Sequence, residues 1–470
     1  MGWNVTSAEL SATPLVKTAS PPRQGTNPVP PTTHKIPRTE PAPQLLLASQ
    51  LIFNLGFFSV VPFLAVVMRE DFGMGTMAVG IVLGARTFAQ QGLFLFGGAL
   101  ADRWGARQSM IVGCLVRVTG FLLLAWASDF PLFLIGAVVT GIGGALFAPA
   151  MQSLVASAAE RASVQKAAIP DDSTHSAAAR KNQGSSLFAL LVVCGELGTV
   201  VGPLLGALLL NTSYDTALLV AAGIFAVMAA VFLCFLPTPR RDGPKTSGEL
   251  PASPPPSDLW SCLREKKFIG FAAFYSVNLL AANQLYFGLP VELERSAAGG
   301  SALAVVFGYA SVLTITLQWP IARLMRKAGP KIALPLGFAL QSLGFASLAV
   351  LAVFPPPSGV PLLPALVLIT GLALGNMCVM PMAMGLVMEF AAGRPTGAYY
   401  GLLASAGGLA VVLGNAGLAP LYELAYTPAV TAFAPWLLLS LLGAITATAI
   451  PRFVPNGAAN VRQQMERQAA

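Results

Sequence analysis

The sequence predicts an all-α polytopic membrane protein of twelve spans, arranged as two six-helix bundles. Three observations carry this. Apolar residues make up 55% of the 470, and charged residues only 10%. A soluble domain carries about 25% charged residues, so the natural solvent for this chain is lipid. The apolar residues run in long uninterrupted blocks, whereas the strands of a membrane barrel would be short and alternating. A helix also satisfies its own backbone hydrogen bonds in hydrocarbon. Finally, the 28 Lys and Arg residues fall almost wholly in alternate connections between the blocks.

Residues 1–43 are rich in Pro, Thr and Ser. They lack the basic region and apolar stretch of a signal peptide, and a disordered cytoplasmic tail is expected. A span needs about 20 apolar residues to cross roughly 30 Å. On that rule spans fall at about 44–67, 77–99, 108–127, 131–154, 185–210 and 216–236. The connection 237–267 contains PRRDGPK and PASPPPS, which hydrocarbon does not admit. Six further spans follow at about 268–290, 301–321, 332–354, 361–388, 398–421 and 433–451, before a cytoplasmic tail at 452–470. The chain thus reads as a 44–236 bundle and a 268–451 bundle, a common transporter plan.

Orientation comes from the basic residues. With both termini on one side, 24 of the 28 lie on that side. Arg69 and Arg295 lie on the other, and Arg86 and Arg117 lie within spans. This places both termini in the cytoplasm. The net charge of +8 therefore belongs to short loops that meet anionic lipid, and nucleic acid is excluded as a partner. Cys114, Cys194, Cys234 and Cys378 sit in apolar blocks and Cys262 in the central loop. Their spacing suits neither disulfides nor a metal.

Two motifs stand out. Between spans two and three the chain reads GALADRWGAR, with Gly98, Asp102, Arg103, Gly105 and Arg107 as its fixed points. Glycines allow a tight turn, and opposite charges sit at helix ends where dipoles hold them. A worn copy, ARLMRKAGPK, follows span eight. Its Gly329 and Lys331 match Gly105 and Arg107, and Arg326 stands where the acid would be. Span five carries GTVVGPLLGA, in which Gly198, Gly202 and Gly206 recur every four residues. Such a stripe admits a closely packed neighbour helix, and Pro203 can bend the helix.

These motifs resemble those of the major facilitator superfamily (MFS). The first is similar to its signature loop, whose acid latches the cytoplasmic ends of the two halves. By that resemblance Asp102 would face the start of span eleven, near Gly397 to Gly401. The second resembles the antiporter motif of MFS drug exporters, which implies export. LGARTFAQQGLFLFGGALADRWGA, MIVGCLVRVTGF and GIGGALFAPA are similar to MdtH-type multidrug resistance transporters. Span four carries no Arg, unlike many MFS antiporters, so the resemblance brings no span-four proton relay. It implies alternating access by rocking of the two halves, a proton gradient as driver and a monomer in a bacterial inner membrane.

Three ionisable residues fall near mid-membrane: Arg86, Arg117 and Glu196. Unpaired charge costs several kcal/mol there, so these residues are expected to face a cavity or each other. Either they form a structural Arg–Glu pair, or they hold substrate and proton. In the second case Glu196 is the protonatable group, held ionised by a neighbouring Arg, and the positive excess suits an anionic or polar substrate. Asn54, Gln90, Gln91, Asn278, Asn283, Gln284, Tyr286, Asn376 and Asn415 are candidate cavity-lining residues, or ordinary helix–helix hydrogen bonds. Glu389 and Glu423 are expected near water at span ends.

The chain has two His residues and neither a nucleophile motif nor a phosphate-binding loop, so it reads as no enzyme and needs no cofactor. The leading expectation is a proton-coupled exporter of small amphiphilic molecules, such as drugs or a siderophore-like metabolite. Uptake of an organic anion is the alternative. A non-transporting scaffold or sensor is a third reading, disfavoured by short tails with no folded module.

Overall fold

A computed structural model describes residues 43–167, 176–210, 212–236, 261–296, 302–354, 360–391, 397–426 and 430–455. Of the expected tail at 1–43 all but Pro43, and most of the loop at 237–267 and of the tail at 452–470, lie outside the described residues. Within them the chain is helical throughout, and eleven segments are long and apolar enough to cross a membrane.

The twelfth is span two. It comprises two helices, Thr76–Gly92 and Phe94–Trp104, separated at Leu93. Spans one and seven also break. Span one runs Pro43–Phe58 and then Leu64–Glu70. Pro62 lies in the 3-10 turn between them, where a missing N–H costs nothing. Span seven runs Lys266–Asn283 and then Gly288–Arg295.

The other spans are Ala106–Ala125, Phe130–Ala167, Ser176–Leu210, Tyr214–Phe235, Ala302–Ala328, Pro330–Val353, Leu363–Ala391, Gly397–Tyr426 and Ala434–Ala449. Spans four and five extend past the expected 154 and before the expected 185. Ser261–Arg264, expected as loop, is a 3-10 turn with Cys262 buried.

Packing repeats with an offset of six spans. Three packs on four and six, as nine packs on ten and twelve. One packs on five as seven packs on eleven, and two on four as eight on ten. Between the halves, two packs on eleven and eight on five, a pair that the same offset exchanges. This is a two-bundle fold with pseudo-two-fold symmetry. The two related loops share a backbone solution: φ is +90° at Gly105 and +80° at Gly329, where L side chains are disfavoured.

Candidate functional site

Arg86 and Arg117 descend from neighbouring spans into one aromatic box. Arg86 is 5% exposed and Arg117 1%. Their guanidiniums lie 4.6 and 5.3 Å from the ring centre of Phe57, which both cations share. Arg117 also lies over Phe53 at 4.3 Å and Phe225 at 5.2 Å. Gly143 of span four makes room for it, since a Cβ there would lie 2.6 Å from Arg117 Cγ. Arg86 Nη2 donates to Gln90 Oε1 at 2.8 Å, one helical turn on. Arg86 Nε and all three guanidinium nitrogens of Arg117 lack an acceptor among the described residues.

The expected Arg–Glu pair does not form. No described carboxylate lies within 4.0 Å of either Arg. Glu196, on span five, is half-buried. It approaches the buried Ser311 hydroxyl of span eight without completing a well-aligned hydrogen bond, and it is within electrostatic reach of Tyr286. Glu196 therefore looks across the seam between the halves, while the two Arg residues look into the first bundle. Tyr286 links the groups. It stands edge-on to Phe57 at 6.5 Å and is within electrostatic reach of both Arg86 and Glu196.

The polar candidates divide into three groups. Asn54 Nδ2 donates to Gly195 O at 2.9 Å, tying span one to span five beside Glu196. Asn278 donates to Asn376 Oδ1 at 3.2 Å and accepts from Gln341 at 2.7 Å, a triad inside the second bundle. Asn283, Gln284 and Asn415 form a buried belt between the halves. Asn283 donates to Thr87 Oγ1 at 3.0 Å, and Asn415 donates to Asn283 Oδ1 at 2.9 Å and Gly80 O at 3.4 Å. Gln284 donates to Asn415 at 3.3 Å and accepts from Tyr422 at 2.8 Å. Gln91 is partly buried and joins none of these groups. Thr87, Ser311, Gln341 and Tyr422 were not signalled by the sequence, since a lone hydroxyl or amide in a span has no distinctive pattern.

The span-five stripe has a physical purpose. A Cβ at Gly198 would lie 2.6 Å from Leu51 O, and one at Gly202 2.7 Å from Phe58 Cβ and 3.0 Å from Leu55 O. Gly206 abuts Ser59 O in the same way. The stripe seats span five on the backbone of span one, and the helix runs unbroken through the buried Pro203. In the signature loop, Arg107 Nη2 donates to Leu233 O at 2.8 Å, which satisfies a carbonyl in the last turn of span six. A Cβ at Gly98 would lie 3.9 Å from Pro149 Cβ of span four, and Arg103 is exposed. The side chain of Asp102 lies outside the described part, but its helix packs against span eleven.

One end of the bundle is bridged by charge. Arg69 of span one lies 3.6 Å from Glu294 and 3.8 Å from Glu423, and stacks 3.2 Å from the centre of the Tyr426 ring. The Thr76 hydroxyl also donates to Glu423. Glu423 thus keeps the water contact expected of it, but also joins the two halves. Glu292, fully buried, pairs with Arg295 at 2.6 Å.

The profile of the Major Facilitator Superfamily matches residues 46–415. An uncharacterized MFS-type transporter of Mycobacterium tuberculosis is 28% identical over 391 residues, 81% of this chain and 86% of that one. The multidrug resistance protein MdtH of Escherichia coli is 29% identical over 412 residues, 86% of this chain and 92% of that one. Among solved structures, a POT family transporter in complex with a thioalcohol-conjugated peptide aligns with a TM-score of 0.67 at 14% identity, covering 88% of this chain and 96% of its own. The nucleoside transporter NupG aligns with a TM-score of 0.63 at 12% identity, covering 88% and 99%. At such identities these two establish shared fold only. Twelve spans in two related bundles, the paired signature loops and a profile match over most of the chain agree: this protein belongs to the Major Facilitator Superfamily and is a multi-pass membrane transporter.

Proposed function

We propose that this transporter is a proton-coupled exporter of small amphiphilic molecules, drugs or a siderophore-like metabolite among them. In this reading it works as a monomer in a bacterial inner membrane, with both termini cytoplasmic and the Arg69 end outward. The observation that carries the reading is Glu196. It is a protonatable group on the span that bears the glycine stripe, at the seam between the halves, facing Ser311 and Tyr286 of the opposite half. A proton taken up there removes a charge from the seam and changes the balance between arrangements of the two bundles. The aromatic rings of Phe57, Phe58, Tyr286 and Phe307 cluster across the halves, three of their contacts edge to face and one tilted, and offer an apolar wall for an amphiphile. The name of the MdtH relative supports export.

The test uses everted membrane vesicles energised by respiration, with an acridine dye reporting their internal acidity. Adding an exported amphiphile, with ethidium as the first probe of a panel, releases protons and restores fluorescence. Glu196→Gln should abolish that response. An unchanged proton dependence in Glu196→Gln removes Glu196 from the coupling.

A second reading, proton-coupled uptake of an organic anion, is favoured by Arg86 and Arg117, which have no carboxylate within 4.0 Å among the described residues. Deleting the gene separates the two. Under export a compound builds up in the cells, and under uptake it stays in the medium.

A further inference from the structure

The duplication that relates the two positive-φ turns extends into the spans that follow them. Arg117 stands twelve residues after Gly105, and Gln341 twelve residues after Gly329. Gly113 and Gly337 stand eight residues after the same turns, and Gly120 and Gly344 fifteen. Their neighbours repeat too. A Cβ at Gly113 would lie 2.9 Å from Gly143 O of span four, and one at Gly337 2.7 Å from Gly375 O of span ten. A Cβ at Gly143 would lie 2.6 Å from Arg117 Cγ, and one at Gly375 2.5 Å from Gln341 Cγ. Gln341 is therefore the counterpart of Arg117, its stem held against a glycine in the matching notch of the second bundle.

The heads of the two side chains differ in chemistry. Arg117 offers donors alone and is boxed by aromatic rings. Gln341 is 2% exposed and sits among amides. Its Nε2 donates to Asn278 Oδ1 at 2.7 Å, and Asn278 in turn donates to Asn376 Oδ1 at 3.2 Å. These bonds run one way along the three amides, so an acceptor is left over at one end and donors at the other. The acceptor is Gln341 Oε1, which is buried and has no partner among the described residues. The donors are the amide hydrogens of Asn376, which is partly exposed on span ten. A buried amide oxygen left unpaired is costly, and native structures seldom keep one without a use. A Met side chain, of similar length, would fill the same notch without that cost.

We propose that Gln341, Asn278 and Asn376 form a polar subsite in the second half, which recognises a neutral amide or hydroxyl of the cargo through its N–H or O–H donating to Gln341 Oε1. Asn376 can donate to an oxygen of the same cargo. The proposal rests on the transport reading and narrows it. The first half reads charge and aromatic surface, and the second reads a neutral hydrogen-bonding group. One duplicated position thus holds a guanidinium and the other an amide because each half meets a different end of the cargo.

The test is equilibrium binding of two radiolabelled probes to full-length protein purified in detergent. Chloramphenicol is neutral and carries an amide N–H and hydroxyls, and tetraphenylphosphonium is a cation with no hydrogen-bond donor. Gln341→Met keeps the length of the side chain and removes its oxygen. It should weaken chloramphenicol about three- to tenfold, the worth of one neutral hydrogen bond, and leave tetraphenylphosphonium within about twofold. Gln341→Glu, assayed at acidic pH, keeps one donor and one acceptor in its neutral form and should restore chloramphenicol binding. Equal weakening of both probes means that Gln341 only packs span nine, and the subsite falls. Chloramphenicol binding untouched by Gln341→Met overturns it as well, as does wild-type protein that does not bind chloramphenicol. Should Gln341→Met fail to fold, Asn376→Ser decides by the same comparison, since Asn376 is partly exposed. If the selective loss is seen but everted vesicles move neither probe, the export reading fails while the subsite stands.

Discussion

Replacing Arg117 with Met should make the protein more stable and abolish transport. Arg117 is 1% exposed, and none of its guanidinium nitrogens has an acceptor among the described residues. A guanidinium does not shed its proton, so the full desolvation penalty, several kcal/mol, applies. Against it stand three ring contacts at 4.3, 5.2 and 5.3 Å. Each is worth about 0.5–2 kcal/mol, the larger figure only at the shortest distance. The second cation, Arg86, shares the Phe57 ring and repels. Met keeps the length of the side chain and contacts aromatic rings well. Removing the charge should therefore gain about 1–3 kcal/mol, as when other buried charges are replaced by apolar groups. Thermal unfolding of detergent-purified protein should show a rise of roughly 2–5 °C, and vesicle assays should show no transport. A charge that costs stability and is required for transport has been kept for its function. The opposite result, lower stability with transport intact, would mean that Arg117 organises the first bundle and never meets the substrate.

Two further outcomes follow from the glycines. Gly202→Val drives a branched side chain into Phe58 Cβ and Leu55 O, 2.7 and 3.0 Å from the new Cβ. It should cost about 1–3 kcal/mol by overpacking spans one and five, seen as a lower melting temperature, and a neutral result would mean the stripe is not in contact. Gly329→Ala meets no atom within 4 Å but is held at φ +80°. Its cost should be backbone strain alone, about 1–2 kcal/mol. Gly105→Ala should match it, and a large difference in melting shift between them would break the equivalence of the two loops.

The architecture was legible because hydrocarbon leaves the chain few choices. Block length, loop charge and the GxxxDRxGxR loop with its worn copy all depend on one-dimensional spacing. The breaks in spans one, two and seven were less legible. The first has Pro62 as a local cause, but Leu93 and Gln284 to Phe287 lie in apolar stretches that read as continuous. At the span-two break the Gly92 carbonyl is taken up by Ser405 of span eleven at 3.1 Å, a partner more than three hundred residues away. The expected Arg–Glu pair failed for a related reason. Position along a span gives depth, and all three charges do share a span interior. Direction around the helix axis depends on which neighbour each span packs against. Spans two and three turn Arg86 and Arg117 toward Phe53, Phe57 and Phe225, whereas span five turns Glu196 toward span eight. The belt was half visible. Asn283, Gln284 and Asn415 stand out as amides in lipid, but Thr87 and Tyr422, which complete it, look like ordinary span residues.

Charge balance at the centre ties the direction of transport to the charge of the cargo. Two guanidiniums and one carboxylate share the region around Tyr286. Unit charges about 8 Å apart interact by roughly 2 kcal/mol at an effective dielectric constant of 20, about thirtyfold in binding. Under the export proposal a cationic amphiphile would be drawn to ionised Glu196 and expelled when Glu196 takes a proton. Proton and cargo then exclude each other, which is exchange, and an inward proton gradient drives the cargo out. Under the uptake reading an anion would be drawn to Arg86 and held more tightly once Glu196 is neutral. Proton and cargo then favour each other, which is co-transport, and the same gradient draws the anion in. The glycine stripe argues for the first arrangement and the unpaired guanidiniums for the second. The two readings differ in the sign of a single coupling energy, centred on Glu196, rather than in the fold that carries it.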